Sequence, residues 1–184
     1  MKNALILHGT SSSSEGNWFP WLKKELEERG WKVWVPDLPH ADKPSIKRYN
    51  EFIFGNKEWK FNKDSVLVGH SSGAVAILGL LQHLPENTII NVCILVSGFK
   101  DDLGWPSLKE LFDERFDYEF IKKRSRKFIL IHSDNDPHVD ISHAKFLSEK
   151  LGGKLIILKG QGHFNLDSNV SYKEFPFLFQ LVTL

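Results

Sequence analysis

The chain has 184 residues, which is the usual size of one domain, and it can bury a continuous core without disulfides or metals. Its 24 Lys and Arg residues balance 23 Asp and Glu residues, so the net charge of +1 creates no long-range field that would attract nucleic acid or an anionic membrane. Cys93 is the only cysteine, which excludes a disulfide within the chain. We therefore expect one domain, residues 1–184, whose partners are selected by a local site.

Short apolar runs recur along the chain, and amphipathic segments separate them. Most of these runs are apolar at every position, which is typical of parallel strands covered on both faces of a sheet. The first run is also too short for the core of a signal peptide or for a membrane span, so we expect a cytoplasmic protein. The predicted strands are residues 4–7, 32–35, 65–68, 92–96, 128–132 and 155–158.

Three of the intervening segments have the apolar spacing and the stop signals of helices. Gly30 follows the first segment, Pro85 follows the second, and Gly152 follows the third. These segments predict helices over residues 18–29, 71–84 and 141–151, whereas residues 99–127 predict short helices and loops. The alternation of strands and helices predicts an α/β fold with about six mostly parallel strands sandwiched by helices.

The pentapeptide Gly69-His70-Ser71-Ser72-Gly73 lies between a predicted strand and a predicted helix. Glycines on both sides of a serine at such a junction are typical of a nucleophile elbow, because the tight turn has no room for side chains two residues before and after the serine. The helix that follows directs its first amides towards the serine. Ser71 is therefore the predicted nucleophile, and the simpler alternative is an N-cap serine in an ordinary turn.

A serine nucleophile needs a base that takes its proton and an acid that orients the base. Asp136 follows the fifth predicted strand and His163 follows the sixth, at the end of the sheet where ligands of such folds bind. The order serine, aspartate, histidine along the chain is that of α/β-hydrolases. Asp134 competes with Asp136, and spacing alone does not separate them. His70 and His132 are expected to be structural or to support the site from behind.

The tetrahedral intermediate of acyl transfer carries a negative oxygen, which needs two preorganised hydrogen-bond donors. We expect the backbone amide of Ser72 to supply one donor. The loop after the first strand supplies the other, with Thr10 as the first choice and Gly9 as the second. Three aromatic residues are interpreted as lining a substrate pocket, or equally as core residues: Trp18, Phe99 and Trp105.

Other ligand classes are considered and are not favoured. Gly160 and Gly162 resemble a dinucleotide-binding loop, but Asn165 stands where the third glycine is required. The basic run 122–127 is interpreted as a solvated loop because it follows an acidic segment. A metal site is the alternative for one group of residues, although their spacing matches no recognised pattern: Asp134, Asp136, His138, Asp140 and His143. We expect no metal, no cofactor and no nucleic acid, and a small-molecule ester or acyl substrate.

These motifs together resemble the small serine hydrolase family typified by retinoblastoma-binding protein nine. The resemblance implies a compact α/β-hydrolase fold without a large lid domain, a triad of Ser71, Asp136 and His163, and activity towards simple esters. It also leaves a protein partner open, because the namesake is linked to protein binding. The motifs that carry it span nearly the whole chain: Leu7-His8-Gly9, Gly16-Asn17-Trp18, Gly69 to Ala74, Asp136-Pro137 with Val139, and Gly162-His163-Phe164.

Three functional hypotheses follow. The leading one is a serine esterase that forms an acyl-enzyme intermediate. A thioesterase, peptidase or acyltransferase would use the same triad and differ only in its leaving group and acceptor. A binding module would keep the hydrolase fold as a scaffold with an inactive triad, since a fold alone does not determine function.

Overall fold

The computed structural model describes residues 1–184, in which six strands alternate with six α-helices. Two short 3-10 helices, Pro106–Leu111 and Val170–Lys173, lie in the connections. The strands are β1 (Asn3–Leu7), β2 (Lys32–Trp34), β3 (Ser65–His70), β4 (Val92–Val96), β5 (Phe128–Ser133) and β6 (Lys154–Leu158). The helices are α1 (Phe19–Glu27), α2 (Ile46–Gly55), α3 (Ser72–His83), α4 (Tyr118–Lys122), α5 (Ile141–Leu151) and α6 (Pro176–Thr183).

All six strands are parallel and form one sheet in the order β2-β1-β3-β4-β5-β6. The predicted sheet of six parallel strands is confirmed, and the strand ends differ from the prediction by at most two residues. The strands β1, β3 and β5 are buried at every position, whereas β2 and β6 at the two edges of the sheet are partly exposed. Because the strands are parallel, their carboxyl ends lie together at one end of the sheet, here called the carboxyl edge.

Helices cover both faces of this sheet. Successive side chains of a strand point to opposite faces, so each strand contributes to two cores. Leu5 and Leu67 belong to the larger core, which includes buried residues of α2, α3, α4 and α5. Ala4 and Val66 belong to the second core, which includes buried residues of α1 and α6. Burial on both faces explains why the central strands are apolar throughout.

Helix α3 is the most deeply buried helix. Ten consecutive residues, 72–81, are buried, because the helix packs between the sheet and α2. It begins directly after Ser71 and ends before Pro85. Its 12 residues are too few to cross a bilayer, and no other helix combines the length and apolar character that a membrane span requires.

The connection between β4 and β5 is compact. It contains the 3-10 helix and α4, as expected for short helices and loops in this region. Leu108, Leu111 and Ile121 anchor the connection in the larger core, so it forms part of the helical layer rather than a large lid. The helices α2 and α6 were not predicted from the sequence, and their periodic apolar residues pack on opposite faces of the sheet.

Candidate active site

Ser71 lies in the sharp turn between β3 and α3, at the carboxyl edge. Its backbone has φ 56° and ψ −122°, a conformation that is strained for any residue except glycine and costs on the order of 1–3 kcal/mol. A side chain at Gly69 would overlap the backbone of Gly73 and Ala74. A side chain at Gly73 would overlap the carbonyl oxygen of Leu7. The two glycines therefore allow the tight turn that holds Ser71 at the carboxyl edge.

His163 and Asp136 form a close pair at the same edge. Nδ1 of His163 lies 2.8 Å from Oδ2 of Asp136 and 3.0 Å from Oδ1. The Asp136 side chain is fully buried, and the His163 side chain is 7% exposed. An ionised carboxylate only accepts hydrogen bonds, so Nδ1 of His163 carries the donated proton. Nε2 lies on the opposite side of the ring from this contact and is the nitrogen that can accept a proton.

Asp136 accepts hydrogen bonds from three further groups. The Ser97 hydroxyl donates to Oδ2 at 2.8 Å, and the backbone N–H groups of His138 and Val139 donate to Oδ1 at 3.0 and 3.1 Å. Burial by itself would raise the pKa of Asp136, but the hydrogen bonds from His163, His138 and Ser97 lower it to about 2. The carboxyl group is therefore ionised throughout the neutral pH range.

The neighbouring residues fix the two loops that carry this pair. Asp134 does not contact His163, and it accepts instead from the backbone N–H of Gly160 at 2.8 Å. Asn135 accepts from the N–H of Gly162 at 2.8 Å. Each of these bonds joins the loop after β5 to the loop after β6. Gly160 and Gly162 have positive φ angles of 69° and 60°, so these glycines serve the turn that presents His163.

His163 also lies against the elbow. Its ring centroid is 4.9 Å from that of His70, and Nε2–H of His70 donates to the His163 carbonyl at 2.7 Å. His163 is hydrogen-bonded through Nδ1 to Asp136, and no hydrogen bond joins its Nε2 to the Ser71 hydroxyl. Such bonds are often long without substrate and shorten in the reactive complex.

Two of the other buried histidines are neutral and structural. Complete burial, together with the nearby His163, lowers the pKa of His70 to about 3. Burial likewise lowers the pKa of His132, whose Nε2–H donates to the Val139 carbonyl at 2.9 Å. Neither ring can therefore compete with His163 as a proton carrier near neutral pH.

Unpaired backbone amides lie in the first turn of α3 and in the loop after β1. The N–H of Ser72 belongs to the first turn of α3, where a helix offers no acceptor, and no side chain caps it. The N–H groups of Thr10 and Gly9 in the loop after β1 also donate to no protein acceptor. Gly9 packs against the nucleophile, since a Cβ at this position would lie 3.1 Å from Cβ of Ser71. The amides proposed as oxyanion donors are thus available for hydrogen bonding.

Side-chain hydrogen bonds hold the loop after β1 in place. The Thr10 hydroxyl donates to the Ser72 hydroxyl at 2.9 Å. Nε2 of His8 accepts from the N–H of Leu38 at 2.9 Å, so Nδ1 carries the proton and donates to the Gly9 carbonyl at 2.9 Å. Burial lowers the pKa of His8, in agreement with a neutral ring. The carbonyl of Gly9 and the N–H of Thr10 belong to the same peptide plane, so His8 also orients this amide.

Two of the three predicted pocket residues are core residues. Trp18 is fully buried, and its indole N–H donates to the Phe164 carbonyl at 3.0 Å. Phe99 is 1% exposed and packs against Phe112 in the larger core. The pocket interpretation is therefore wrong for Trp18 and Phe99, because neither presents a surface to a ligand. Trp105 is 44% exposed and lies beside His138, a neighbour of His163.

The residues considered as metal ligands do not come together. No three His, Cys, Asp or Glu side chains of the protein are grouped in a way that could hold a metal ion. The basic run 122–127 is only partly a solvated loop. Arg124 is 6% exposed, and its guanidinium donates to the carbonyls of Leu84 and Glu86 after the end of α3. Arg124 is therefore a structural residue.

Comparison with known proteins identifies the family. The sequence profile of a family described as "Serine hydrolase" matches residues 4–183. The chain belongs to this serine hydrolase family. The protein YdeN of Bacillus subtilis is 29% identical over 183 residues, which cover 99% of this chain and 95% of YdeN. Serine hydrolase RBBP9 of Rattus norvegicus is 26% identical over 161 residues, covering 85% of this chain and 83% of the relative.

Solved structures show the same fold. The crystal structure of the ydeN gene product has a TM-score of 0.91 and 29% identity, and the match covers 100% of this chain and 97% of that one. Est1E from Butyrivibrio proteoclasticus, solved with ferulic acid bound, has a TM-score of 0.70 at 18% identity and covers 100% of this chain and 90% of its own. The fold is therefore a compact α/β-hydrolase fold without a large lid, and the protein is a hydrolase of the serine hydrolase family.

Two residues that support the site were not predicted from the sequence, Ser97 and His8. Ser97 follows β4 at the carboxyl edge and is fully buried, and its hydroxyl contacts Asp136. Its position after a buried strand was the signal that could have identified it. His8 stands out in the sequence only as part of the motif Leu7-His8-Gly9, although its two ring nitrogens link the Gly9 carbonyl to Leu38. Contacts between distant segments such as these cannot be read from local spacing.

Proposed function

We propose that this serine hydrolase is an esterase in which Ser71 is the nucleophile, His163 the base and Asp136 the acid that orients the base. The observation that carries the proposal is the 2.8 Å contact between buried Asp136 and His163, beside the strained turn of Ser71. Asp136 stabilises one tautomer of His163 and the imidazolium that forms during reaction. Each of these residues then has a separate role in one acyl transfer.

In the first half-reaction, Oγ of Ser71 attacks the carbonyl carbon of the ester while its proton passes to Nε2 of His163. The tetrahedral intermediate then collapses as the bond between this carbon and the alcohol oxygen breaks. His163 returns the proton to the departing alcohol, which leaves an acyl group on Ser71.

In the second half-reaction, a water molecule gives a proton to His163 as its oxygen attacks the acyl carbon. Oγ of Ser71 leaves and regains the proton, which releases a carboxylic acid and restores the enzyme. The unpaired amide of Ser72 and that of Thr10, or of Gly9, stabilise the negative oxygen in both intermediates. Removal of one such donor typically costs about 2.7–4 kcal/mol of transition-state stabilisation.

The relatives support the hydrolase class, and the ligand of one structural neighbour supports an ester substrate. RBBP9 is named a serine hydrolase, and Est1E was crystallised with ferulic acid, a carboxylic acid of the kind that ester hydrolysis releases. Both facts concern those proteins and support the reaction class for this chain. We expect small-molecule esters as substrates.

Hydrolysis of a matched acyl series tests this proposal. Phenyl acetate, S-phenyl thioacetate and acetanilide share the acetyl group and differ in the atom that leaves. We expect phenyl acetate to be hydrolysed with an acetyl group detectable on Ser71 by mass spectrometry after acid quench, and Ser71→Ala to lose at least about 10³-fold in rate. Ser13→Ala, in an exposed serine of the loop after β1, is the matched control and should retain wild-type activity.

The outcomes separate the functional hypotheses. Turnover of the thioester or the amide without the ester would overturn the assignment to esters while keeping the triad. A well-folded wild-type protein that hydrolyses none of the three would favour the binding-module hypothesis.

A further inference from the structure

An exposed indole lies next to the residue pair proposed for proton transfer. Trp105 is 44% exposed, and its ring centroid is 6.0 Å from that of His138 in an edge-to-face arrangement. The His138 ring is in turn edge-to-face with His163, with centroids 5.0 Å apart. Neither Trp105 nor His138 uses its side chain in a hydrogen bond or ion pair with the protein. The three rings therefore form a continuous row that ends on the base and is open to solvent at Trp105.

The loop that carries Trp105 is built to hold it in this place. The backbone N–H of Trp105 donates to the Asp102 carbonyl at 2.8 Å, and the N–H of Gly104 donates to the Asp102 carboxylate at 2.9 Å. Leu103 has a φ of 55°, a strained value for a leucine that the surrounding contacts must maintain. Directly after Trp105, Leu108 of the 3-10 helix is anchored in the larger core. The hydrogen bonds and packing of this loop thus hold the apolar ring of Trp105 in a solvent-exposed position, although exposure of such a ring does not stabilise the fold.

The position beside the base determines which part of a substrate reaches this ring. His163 returns its proton to the departing alcohol, so the alcohol portion of an ester lies on the His163 side of the scissile bond. The acyl oxygen lies on the other side, towards the amides of Ser72 and Thr10. A group that extends from the alcohol oxygen past His163 then meets His138 and Trp105.

We propose that Trp105 and His138 form a subsite for an aromatic ring in the alcohol portion of the ester, which rests on the esterase function proposed above. The surface of this subsite consists of the rings of Trp105 and His138, neither of which forms an ion pair. Aromatic partners pack on such rings in stacked or edge-to-face geometry. The other exposed aromatic side chains, Phe52 and Phe120, lie on α2 and α4, away from His163. The substrate class is therefore aryl-methyl and aryl esters.

A pair of esters that differ only in the alcohol ring tests the subsite. Benzyl acetate and cyclohexylmethyl acetate share the acyl group and have leaving alcohols of similar size, but only the first is flat. We expect wild-type kcat/KM to favour benzyl acetate, and Trp105→Leu to reduce this preference about two- to tenfold while Trp105→Phe retains most of it. Phe52→Ala, which removes an equally exposed aromatic ring elsewhere, should leave the preference unchanged.

A second pair places the ring on the acyl side. Methyl benzoate and methyl cyclohexanecarboxylate should show the same rate ratio in wild type and in Trp105→Leu. If Trp105→Leu abolished the ratio between the two methyl esters but kept the preference for benzyl acetate, the assignment to the alcohol portion would be overturned. Equal effects of Trp105→Leu on both acetates would overturn the subsite itself.

Binding without turnover distinguishes failure of the subsite from failure of the proposed reaction. The protein has six tryptophans, and in ¹⁵N-labelled Ser71→Ala the indole N–H signal of Trp105 is identified by its absence in Ser71→Ala/Trp105→Phe. Titration with benzyl acetate should shift this signal, and the same concentration of cyclohexylmethyl acetate should shift it much less. An unchanged Trp105 signal would overturn the subsite whether or not the wild type hydrolyses esters.

Discussion

The hydroxyl of Thr10 donates a hydrogen bond of 2.9 Å to the hydroxyl of Ser72. This bond joins the loop after β1 to the first turn of α3. Because the backbone amides of these same two residues are unpaired, the side-chain bond constrains the separation of the two groups that we propose as oxyanion donors. Ser72 and Thr10 are thus linked by a bond between their side chains as well as by the fold of the backbone.

Replacing the Thr10 hydroxyl with a methyl group is expected to loosen this arrangement. Thr10→Val keeps the shape of the side chain but cannot donate to Ser72, so we predict a fall in kcat of about tenfold to hundredfold with little change in KM, because displaced groups at a reaction centre cost rate rather than ground-state binding. Thr10→Ser restores the hydroxyl and should recover most of the activity. Equal losses in the two variants, or a change in KM alone, would contradict this role.

Asp136 and Asp134 provide a matched pair of variants in one loop. Asp136→Asn removes the ionised acceptor of Nδ1–H of His163 and is expected to lower kcat about 10³- to 10⁴-fold, because the tautomer of the base is no longer fixed. Asp134→Asn removes a carboxylate that contacts the backbone of Gly160 and not His163, so its activity should stay within about threefold of wild type. Steady-state kinetics on phenyl acetate measures both, and a larger loss in Asp134→Asn would reverse the assignment.

Ser97 should influence the reaction only through Asp136. Its hydroxyl donates to Oδ2 of Asp136, and hydrogen bonds to a charged group contribute about 1.5–3 kcal/mol. We expect Ser97→Ala to lower the free energy of unfolding at pH 7 by about 1–3 kcal/mol and to lower kcat far less than Asp136→Asn does. The double variant Ser97→Ala/Asp136→Asn should then be no slower than Asp136→Asn alone. Additive losses in kcat would show that Ser97 acts independently of Asp136.

The burial of His70 predicts an acid-sensitive stability. In the unfolded chain an imidazole binds a proton below about pH 6.5, whereas the pKa of His70 in the folded protein is about 3. Between these pH values the unfolded state therefore binds more protons than the folded state. His70 does not reduce the free energy of unfolding above about pH 6.5, and it lowers this free energy by about 1.4 kcal/mol per pH unit as the pH falls from there towards 3.

His70→Gln tests this contribution, since the glutamine amide can donate to the His163 carbonyl in place of the imidazole. Urea unfolding at pH 4, 5, 6 and 7 should give a shallower pH dependence in the variant than in wild type. Some dependence should remain, because burial also lowers the pKa of His8 and His132. Identical slopes in the two proteins would show that His70 does not carry this linkage.

Much of the fold was predictable from local sequence. The strands carry runs of apolar residues because helices cover both faces of the sheet, and α5 was predicted with the ends that the structure has, since Asp140 caps its start and Gly152 follows its end. Helix α2 was not predicted, although Ser45 accepts from the N–H of Arg48 in the manner of an N-cap. Its stabilisation comes from packing against α3 and the larger core, which a local pattern does not reveal.

The site was predictable to the extent that local chain geometry defines it. The two glycines of the elbow identify Ser71 in the sequence. Glycine is required at both positions because a side chain there would overlap backbone a few residues away or at the end of β1. The sequence could not distinguish aromatic core residues from exposed ones, because the exposure of a ring depends on residues that are distant in the chain. The indole N–H of Trp18 is bonded to the Phe164 carbonyl, 146 residues away, whereas the exposed ring of Trp105 pairs with that of His138. The same long-range dependence hid the contact of Ser97 with Asp136.

Labelling with a fluorophosphonate tests the central claim most directly, because the reagent forms a covalent bond with an activated serine and needs no knowledge of the natural substrate. Intact mass and peptide mapping should show one adduct per chain, located on Ser71. The adduct should be absent in Ser71→Ala and greatly slowed in His163→Ala, while Ser13→Ala labels as wild type does. A folded wild-type protein that remains unlabelled, or that is labelled equally in Ser71→Ala, would contradict the assignment of Ser71 as the nucleophile.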